Sequence, residues 1–185
     1  MKLPFQNWFT NTFLNHNLFS RKERRIFLFL DIKSSTATAE RLGHAKYSVF
    51  LETFFSHIYE VLPLSGAEIY QFVGDEAVLT WKFSNGLNKQ NCIRSFFLIK
   101  ELIAVSQSEI IREFGQPLIF KGAIHGGNVT AINNIHQPKS YHGAVLNITA
   151  RLQELCNPYH EELIVSGEIW RRIARSSIYS ASDLG

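Results

Sequence analysis

Asp31 stands at the carboxyl end of an otherwise apolar run, Ile26-Phe27-Leu28-Phe29-Leu30. A carboxylate there is costly to bury unless it is paired, hydrogen-bonded or bound to a cation. Asp75 lies in Gly74-Asp75-Glu76, the acidic tip of a hairpin between the β-type runs 67–73 and 77–83. With the hairpin strands beside the first strand, the two acids lie close enough to share divalent metals. Carboxylate oxygens suit Mg2+ or Mn2+, and two such ions can activate an attacking oxygen and steady a departing phosphate. Each acid also has an ordinary reading, since Gly-Asp is common turn chemistry and an Asp after a strand often caps a helix. Next to Asp31, Lys33-Ser34-Ser35-Thr36 opens a helix. Its free N–H groups, positive dipole end and hydroxyls attract phosphate, although a plain capping cluster looks the same. Acids that hold metal beside such a helix start suit nucleoside triphosphate chemistry. Asn147 and Arg151, spaced i, i+4, project from one face of a further helix. The Arg offers a planar donor fork to a phosphate, or else makes a surface or interface ion pair.

The elements that must position these residues follow from periodicity. A buried central strand is expected over 26–32 and a helix over 45–62, ended by Pro63 and Gly66. After the hairpin come a helix over 92–114, a strand over 118–125 and, beyond Gly126-Gly127, a short strand near 128–132. A loop over 133–140, a helix over 144–156, a strand over 162–166 and a short helix over 167–175 complete the chain. The order predicts an α+β fold with a ferredoxin-like or polymerase-palm-like βαββαβ core and additional C-terminal β and α elements. Tyr70 and Phe72 flank Gln71 and are expected to face away from it. Strand alternation likewise sets Glu76 on the face opposite Asp75 and leaves it out of the ligand set. His125 reads as a structural strand-end residue.

The 185 residues are 45% hydrophobic and 19% charged, with fifteen Phe, which describes one packed domain and excludes disordered or disulfide-stapled classes. The net charge of +3, with no basic stripe, gives no argument for a nucleic acid partner. Two cysteines without metal-type spacing point to free thiols in a reducing, cytoplasmic compartment. No apolar run reaches the ~18 residues of a spanning helix, and the N-terminus lacks a signal-peptide pattern. Residues 1–23 read as a linker or signal-helix segment and 24–185 as the catalytic domain, its C-terminal end truncated. Segment 3–19 and the basic knot Arg21-Lys22-Glu23-Arg24-Arg25 are either a lead-in lying on the domain or a juxtamembrane or helix-pairing segment. In the second case an upstream membrane or sensory domain would hold the chain at the cytoplasmic face.

The motifs together resemble the catalytic domain of class III nucleotide cyclases, the adenylate/guanylate cyclase family. The matching segments are FLFLDIKSST at 27–36, YQFVGDEAVL at 70–79, FKGAIHGGNV at 120–129, YHGAVLNITARLQ at 141–153 and ELIVS at 162–166. Their ordered register makes the resemblance specific. It implies a phosphorus–oxygen lyase that turns a nucleoside triphosphate, ATP first, into the 3′,5′-cyclic monophosphate and pyrophosphate for signal transduction. Asp31, Asp75 and the Ile32 backbone carbonyl match the ligands of two Mg2+ or Mn2+ ions. Lys33, Ser34, Ser35 and Thr36 match the loop around the triphosphate. Asn147 matches the residue that orients the ribose, and Arg151 the one that stabilises charge on the phosphorus. The family's site is shared between head-to-tail subunits, which implies a homodimer, and the presence of all four key side chains implies an active enzyme.

Two departures follow from the resemblance. Gln71 and Ser140 match the base-recognition pair, where adenylate cyclases usually carry Lys with Asp or Thr, and guanylate cyclases carry Glu at the first position. A Gln amide and a Ser hydroxyl each donate or accept, so ATP, GTP and a pyrimidine triphosphate all remain open. The family's later Lys-Gly strand has no counterpart after Ile178, and Lys33 and Lys121 are the substitutes by charge alone. The alternatives are a guanylate or pyrimidine nucleotide cyclase, a catalytically silent nucleotide-binding dimerisation module, and another palm-fold enzyme. The last fits poorly, because Val73-Gly74-Asp75-Glu76 is not the acidic hairpin signature those enzymes need.

Overall fold

The apolar run at Ile26 is the second half of a longer strand, β1 (Ser20–Ile32), in a computed structural model that describes residues 20–134, 137–174 and 178–184. The basic knot, whose residues 21–23 fall in the expected linker, is therefore strand. Its charges are used within the fold: Arg24 pairs with Glu168 of the last helix at 2.9 Å and Arg25 with Glu68 of the sheet at 2.7 Å. Segment 3–19 lies outside the described residues.

After β1 come α1 (Ser35–Leu42), α2 (His44–Ser65) and the hairpin β2 (Glu68–Val73) and β3 (Glu76–Lys82). The short α3 (Phe83–Leu87) leads to α4 (Asn91–Phe114), then β4 (Phe120–Asn134) and β5 (Gln137–His142). The last elements are α5 (Ala144–Leu155), β6 (Leu163–Val165) and α6 (Gly167–Ile173). The sheet runs β2-β3-β1-β4-β5, with β6 parallel to β4. β1 is central and antiparallel to both β3 and β4. This is the expected βαββαβ core, with β5, α5, β6 and α6 added.

Three local expectations are corrected. β4 passes straight through Gly126-Gly127, because these glycines serve close packing and make no turn. A Cβ on Gly127 would stand 2.9 Å from Val145 Cγ2 of α5, and one on Gly126 3.0 Å from Ile169 Cδ1 of α6. The expected loop at 133–140 gives way to β5 from Gln137, which pairs with β4 from Asn134 to Thr130. α2 continues past Pro63 to Ser65. Tertiary contacts override the proline there: Ser65 is buried, and its carbonyl accepts from Trp81 Nε1 at 3.1 Å.

Alternation along β1 divides the interior. Ile26, Leu28, Leu30 and Ile32 enter a large core under α2 and α4, with Phe50, Phe54, Phe96, Ile99 and Trp81. Phe27 and Phe29 enter a smaller cluster on the other face, with Val78, Val129, Ala131, Tyr141 and Val145. Among the described residues, α5 is the helix that lies over that second face. Cys92 and Cys156 are both free and buried. Among the described residues no helix is long and apolar enough to cross a membrane.

Candidate active site

Asp31 follows Phe27 and Phe29 in the alternation, so it falls on the α5 face at the end of β1. β3 sets Glu76 directly opposite it, and residues directly opposite in an antiparallel pair share a face. Val73 pairs with Glu76 across Gly74-Asp75. Gly74, at φ 62°, supplies the left-handed conformation that a two-residue hairpin demands. This tight turn carries Asp75 back towards Asp31.

Burial first, and then the neighbouring Asp75 carboxyl, push Asp31 up to about 6, while Lys121 pulls the other way. Glu76 is pushed up to about 7 by burial and by the charges of Asp31 and Asp75. Glu76 therefore belongs to the acidic group, contrary to the sequence reading. That reading carried strand alternation through Asp75, which is a turn residue. Tyr47 of α2 faces the same charges: burial and Asp75 raise its phenol, while a hydrogen bond from Ser35 works against them. Its helical spacing had marked Tyr47 only as core.

Lys121, on β4 opposite Asp31, is buried. Its Nζ lies 3.3 Å from Asp31 Oδ2 and donates to Asn157 Oδ1 at 3.3 Å. It is thus held inside and is no free cation for a triphosphate, which leaves Lys33 of the two candidates. Asp75 Oδ2 is buried without a hydrogen-bond partner. Among the described residues, no group of three or more His, Cys, Asp or Glu is arranged to hold a metal ion. Hard carboxylate oxygens with an orphaned, buried acceptor nevertheless fit a divalent cation. The buried Ile32 side chain leaves only its carbonyl as a further ligand.

Between β1 and α1, Ser34 adopts φ 58° and its hydroxyl makes no cap bond. Lys33 N–H donates to Ile119 O at 2.8 Å, which ties the loop to the approach of β4. α1 has no acid in its first turn. Its first N–H groups lack intrahelical acceptors, so the start of α1 is open to an anion. Ser34 and Thr36 are exposed, and Lys33 and Ser35 are half-buried.

α5 buries Val145 and Thr149 and turns Asn147 and Arg151 outward. Among the described residues, Asn147 and Arg151 have no hydrogen-bond or ion-pair partner in this chain. Ile148 and Leu155, also exposed, extend that face. The structure thus gathers Asp31, Asp75 and Glu76 beside the start of α1 and leaves Asn147 and Arg151 on a separate, outward surface.

Gln71 is exposed on β2, opposite Val78. The register shifts between Ile69 and Gln71, so Tyr70 is the extra residue of a β-bulge. Val78 belongs to the cluster on the α5 face, and Tyr70 packs against the same cluster. Tyr70 and Gln71 therefore share that face, where simple alternation had separated them. Phe72 does turn away, onto Phe55 of the large core. Ser140 is opposite Ile132, while the adjacent pair, Ala131 with Tyr141, faces α5. Gln71 and Ser140 thus sit on opposite faces by register. His125 hydrogen-bonds Ser166 Oγ at 2.9 Å, a structural contact between β4 and the start of α6.

No family model matches the chain. Over 166 residues it is 32% identical to adenylate cyclase 2 of Rhizobium meliloti (strain 1021), a match over 89% of this chain and 46% of that protein. The chain spans about half the length of this curated relative. A solved bacterial light-regulated adenylyl cyclase superposes with a TM-score of 0.78 at 15% identity, over 98% of this chain and 60% of that one. The adenylyl cyclase CyaB from P. aeruginosa gives 0.70 at 17% identity, over 85% of this chain and 83% of that one. The guanylyl cyclase Cya2 gives 0.69 at 16% identity, over 83% and 80% respectively. Fold and sequence together define a nucleotide cyclase catalytic domain. The chain belongs to the class III nucleotide cyclases, the adenylate/guanylate cyclase family.

Proposed function

We propose that this chain cyclises a nucleoside triphosphate, ATP first, to the 3′,5′-cyclic monophosphate and pyrophosphate, at a site built from two head-to-tail copies. The observation that carries the reading is the separation just described. The acids gather beside the start of α1, while Asn147 and Arg151 point outward without partners among the described residues. A second copy would supply the missing half to each site.

In this reading Asp31, Asp75 and the Ile32 carbonyl hold two Mg2+ or Mn2+ ions, with Glu76 beside them. Bound there, the ions supply Lewis acidity to the reacting oxygens and the departing phosphates. The open N–H groups at the start of α1, with Ser34, Ser35, Thr36 and Lys33, hold the triphosphate tail. Asn147 of the other copy orients the ribose so that its 3′-oxygen lies in line with the α-phosphorus. As the new O–P bond forms, the bond from the α-phosphorus to the bridging oxygen of pyrophosphate breaks, and the 3′-hydroxyl proton leaves to water. Arg151 sets its donor fork against the negative charge gathering on the transferring phosphoryl group.

ATP stands first because the curated relative is named an adenylate cyclase. The Gln71 amide, able to donate or accept, equally supports GTP.

The test is turnover with Mn2+ of ATP, GTP, CTP and UTP in parallel, followed by mixing Asp31→Ala protein with Arg151→Ala protein. Each variant alone should be inactive. The mixture should regain roughly a quarter of wild-type activity, because random pairing builds one intact site in half the dimers. No product from any triphosphate leaves the silent nucleotide-binding module. A mixture as dead as its components rules out the shared site.

A further inference from the structure

The sheet order places β2 and β5 on opposite edges, yet the two touch. The Tyr70 hydroxyl accepts a hydrogen bond from the Tyr141 backbone N–H at 3.2 Å, across 71 residues of sequence. Their ring centroids are 5.2 Å apart. Both rings stand edge-on to Phe27 of β1, at 6.0 and 5.6 Å. The sheet is therefore curled until its edges meet over its central strand. Tyr70 reaches so far because it is the bulged residue, without a partner on β3. The same bulge turns Gln71 to the face where Tyr70 lies. Tyr141 in turn is the direct neighbour of Ser140.

We propose that Tyr70 is a positioning residue for base selection: its hydrogen bond to the Tyr141 N–H sets the opening between β2 and β5 in which Gln71 meets the nucleobase. This rests on the reading of Gln71 as a base-recognition residue. Packing against Phe27 needs only the ring, and a phenylalanine would supply it. The hydroxyl does something separate, since it gives an edge-strand N–H its acceptor and fixes the distance between two strands that share no ladder. A base-reading amide discriminates only when its reach is fixed. A loosened clasp would let the Gln71 amide meet different base edges equally well.

The test compares wild type, Tyr70→Phe, Phe27→Leu and Gln71→Ala. For each, kcat and KM are measured with the four triphosphates, competition against a fluorescent nucleotide gives binding, and a thermal melt reports the fold. Tyr70→Phe should keep kcat for the preferred triphosphate within about threefold. Its KM should rise about five- to tenfold, and its preference among bases should flatten in the direction shown by Gln71→Ala. Phe27→Leu keeps the hydrogen bond and slackens the rings. It should flatten the preference less, and flattening as large as that of Tyr70→Phe would assign the effect to ring packing and overturn the clasp. Unchanged preference in a folded Tyr70→Phe protein, with Gln71→Ala altered, overturns the clasp alone. Unchanged preference in Gln71→Ala removes the premise that Gln71 reads the base, and the proposal falls with it.

Discussion

The two ends of the apolar run in β1 hold charge on the same face of the sheet in opposite ways. At one end Arg25 is 1% exposed and fully engaged. Its Nε donates to Thr80 Oγ1 at 3.2 Å and its Nη2 to Glu68 at 2.7 Å, while Glu23 lies 4.0 Å away and the Tyr141 ring 4.8 Å from Cζ. At the other end Asp31 faces Asp75 and Glu76, with Lys121 as the cation beside it. Between the two, Phe27 and Phe29 are ordinary core. A buried charge with complete partners serves the fold, since removing a partner is what costs stability. A group of like charges with an orphaned acceptor lowers stability in the free protein. Its retention is therefore best explained by what it binds.

Substitutions at the two ends should accordingly fail in different ways. The largest effect is expected from Asp31→Ala or Asp75→Ala. Cyclisation should fall by about three orders of magnitude, while in Asp75→Ala, which takes no ion-pair partner from the buried Lys121, the thermal midpoint of the metal-free protein holds or rises. A matching loss of stability in Asp75→Ala would place Asp75 among the structural groups. Arg25→Met should act in reverse. It should lower unfolding stability by about 2 kcal/mol, discounted because Glu68 is mostly exposed. Activity per folded molecule should change little, as chemical denaturation and turnover together would show. The smallest effect is expected from Glu76→Gln. A carboxyl that keeps its proton up to about 7 when folded, and loses it near 4.5 when unfolded, binds more protons in the folded state across that window. That part of the stability is present below 4.5 and is lost as pH rises through 7. Melts of the metal-free protein should therefore drop over this range. Glu76→Gln should flatten the drop, and an unaltered pH profile would take Glu76 out of the acidic group.

The contrast between these ends was only half legible in the sequence. Asp31 could be found because an acid ends an apolar run, and Asp75 because Gly74 marks a turn. The helix carrying Asn147 and Arg151 follows from its period. Arg25 was hidden, because a row of charges before a strand looks like a solvated linker until the partner strand supplies Thr80 and the next one Glu68. Glu76 and Tyr70 were misassigned for a shared reason. Both assignments assumed an unbroken period of two, and the turn at Asp75 and the bulge at Tyr70 each break it. Gly126-Gly127 looked like a break in β4, because what these glycines make room for, Ile169 and Val145, comes later in the chain.

The register of β1 also constrains the order of events during synthesis. Its first residue, Ser20, pairs with Ile132, and its last, Ile32, with Phe120. During synthesis β1 thus finds β3 early but meets its longest partner only when most of the domain has been made. Through that interval one edge of the apolar run Ile26–Leu30 stands open. Loop-closure entropy makes such distant pairing slow. The molecule's exposure to misassociation is therefore concentrated in the time before β4 arrives, and not in its finished state.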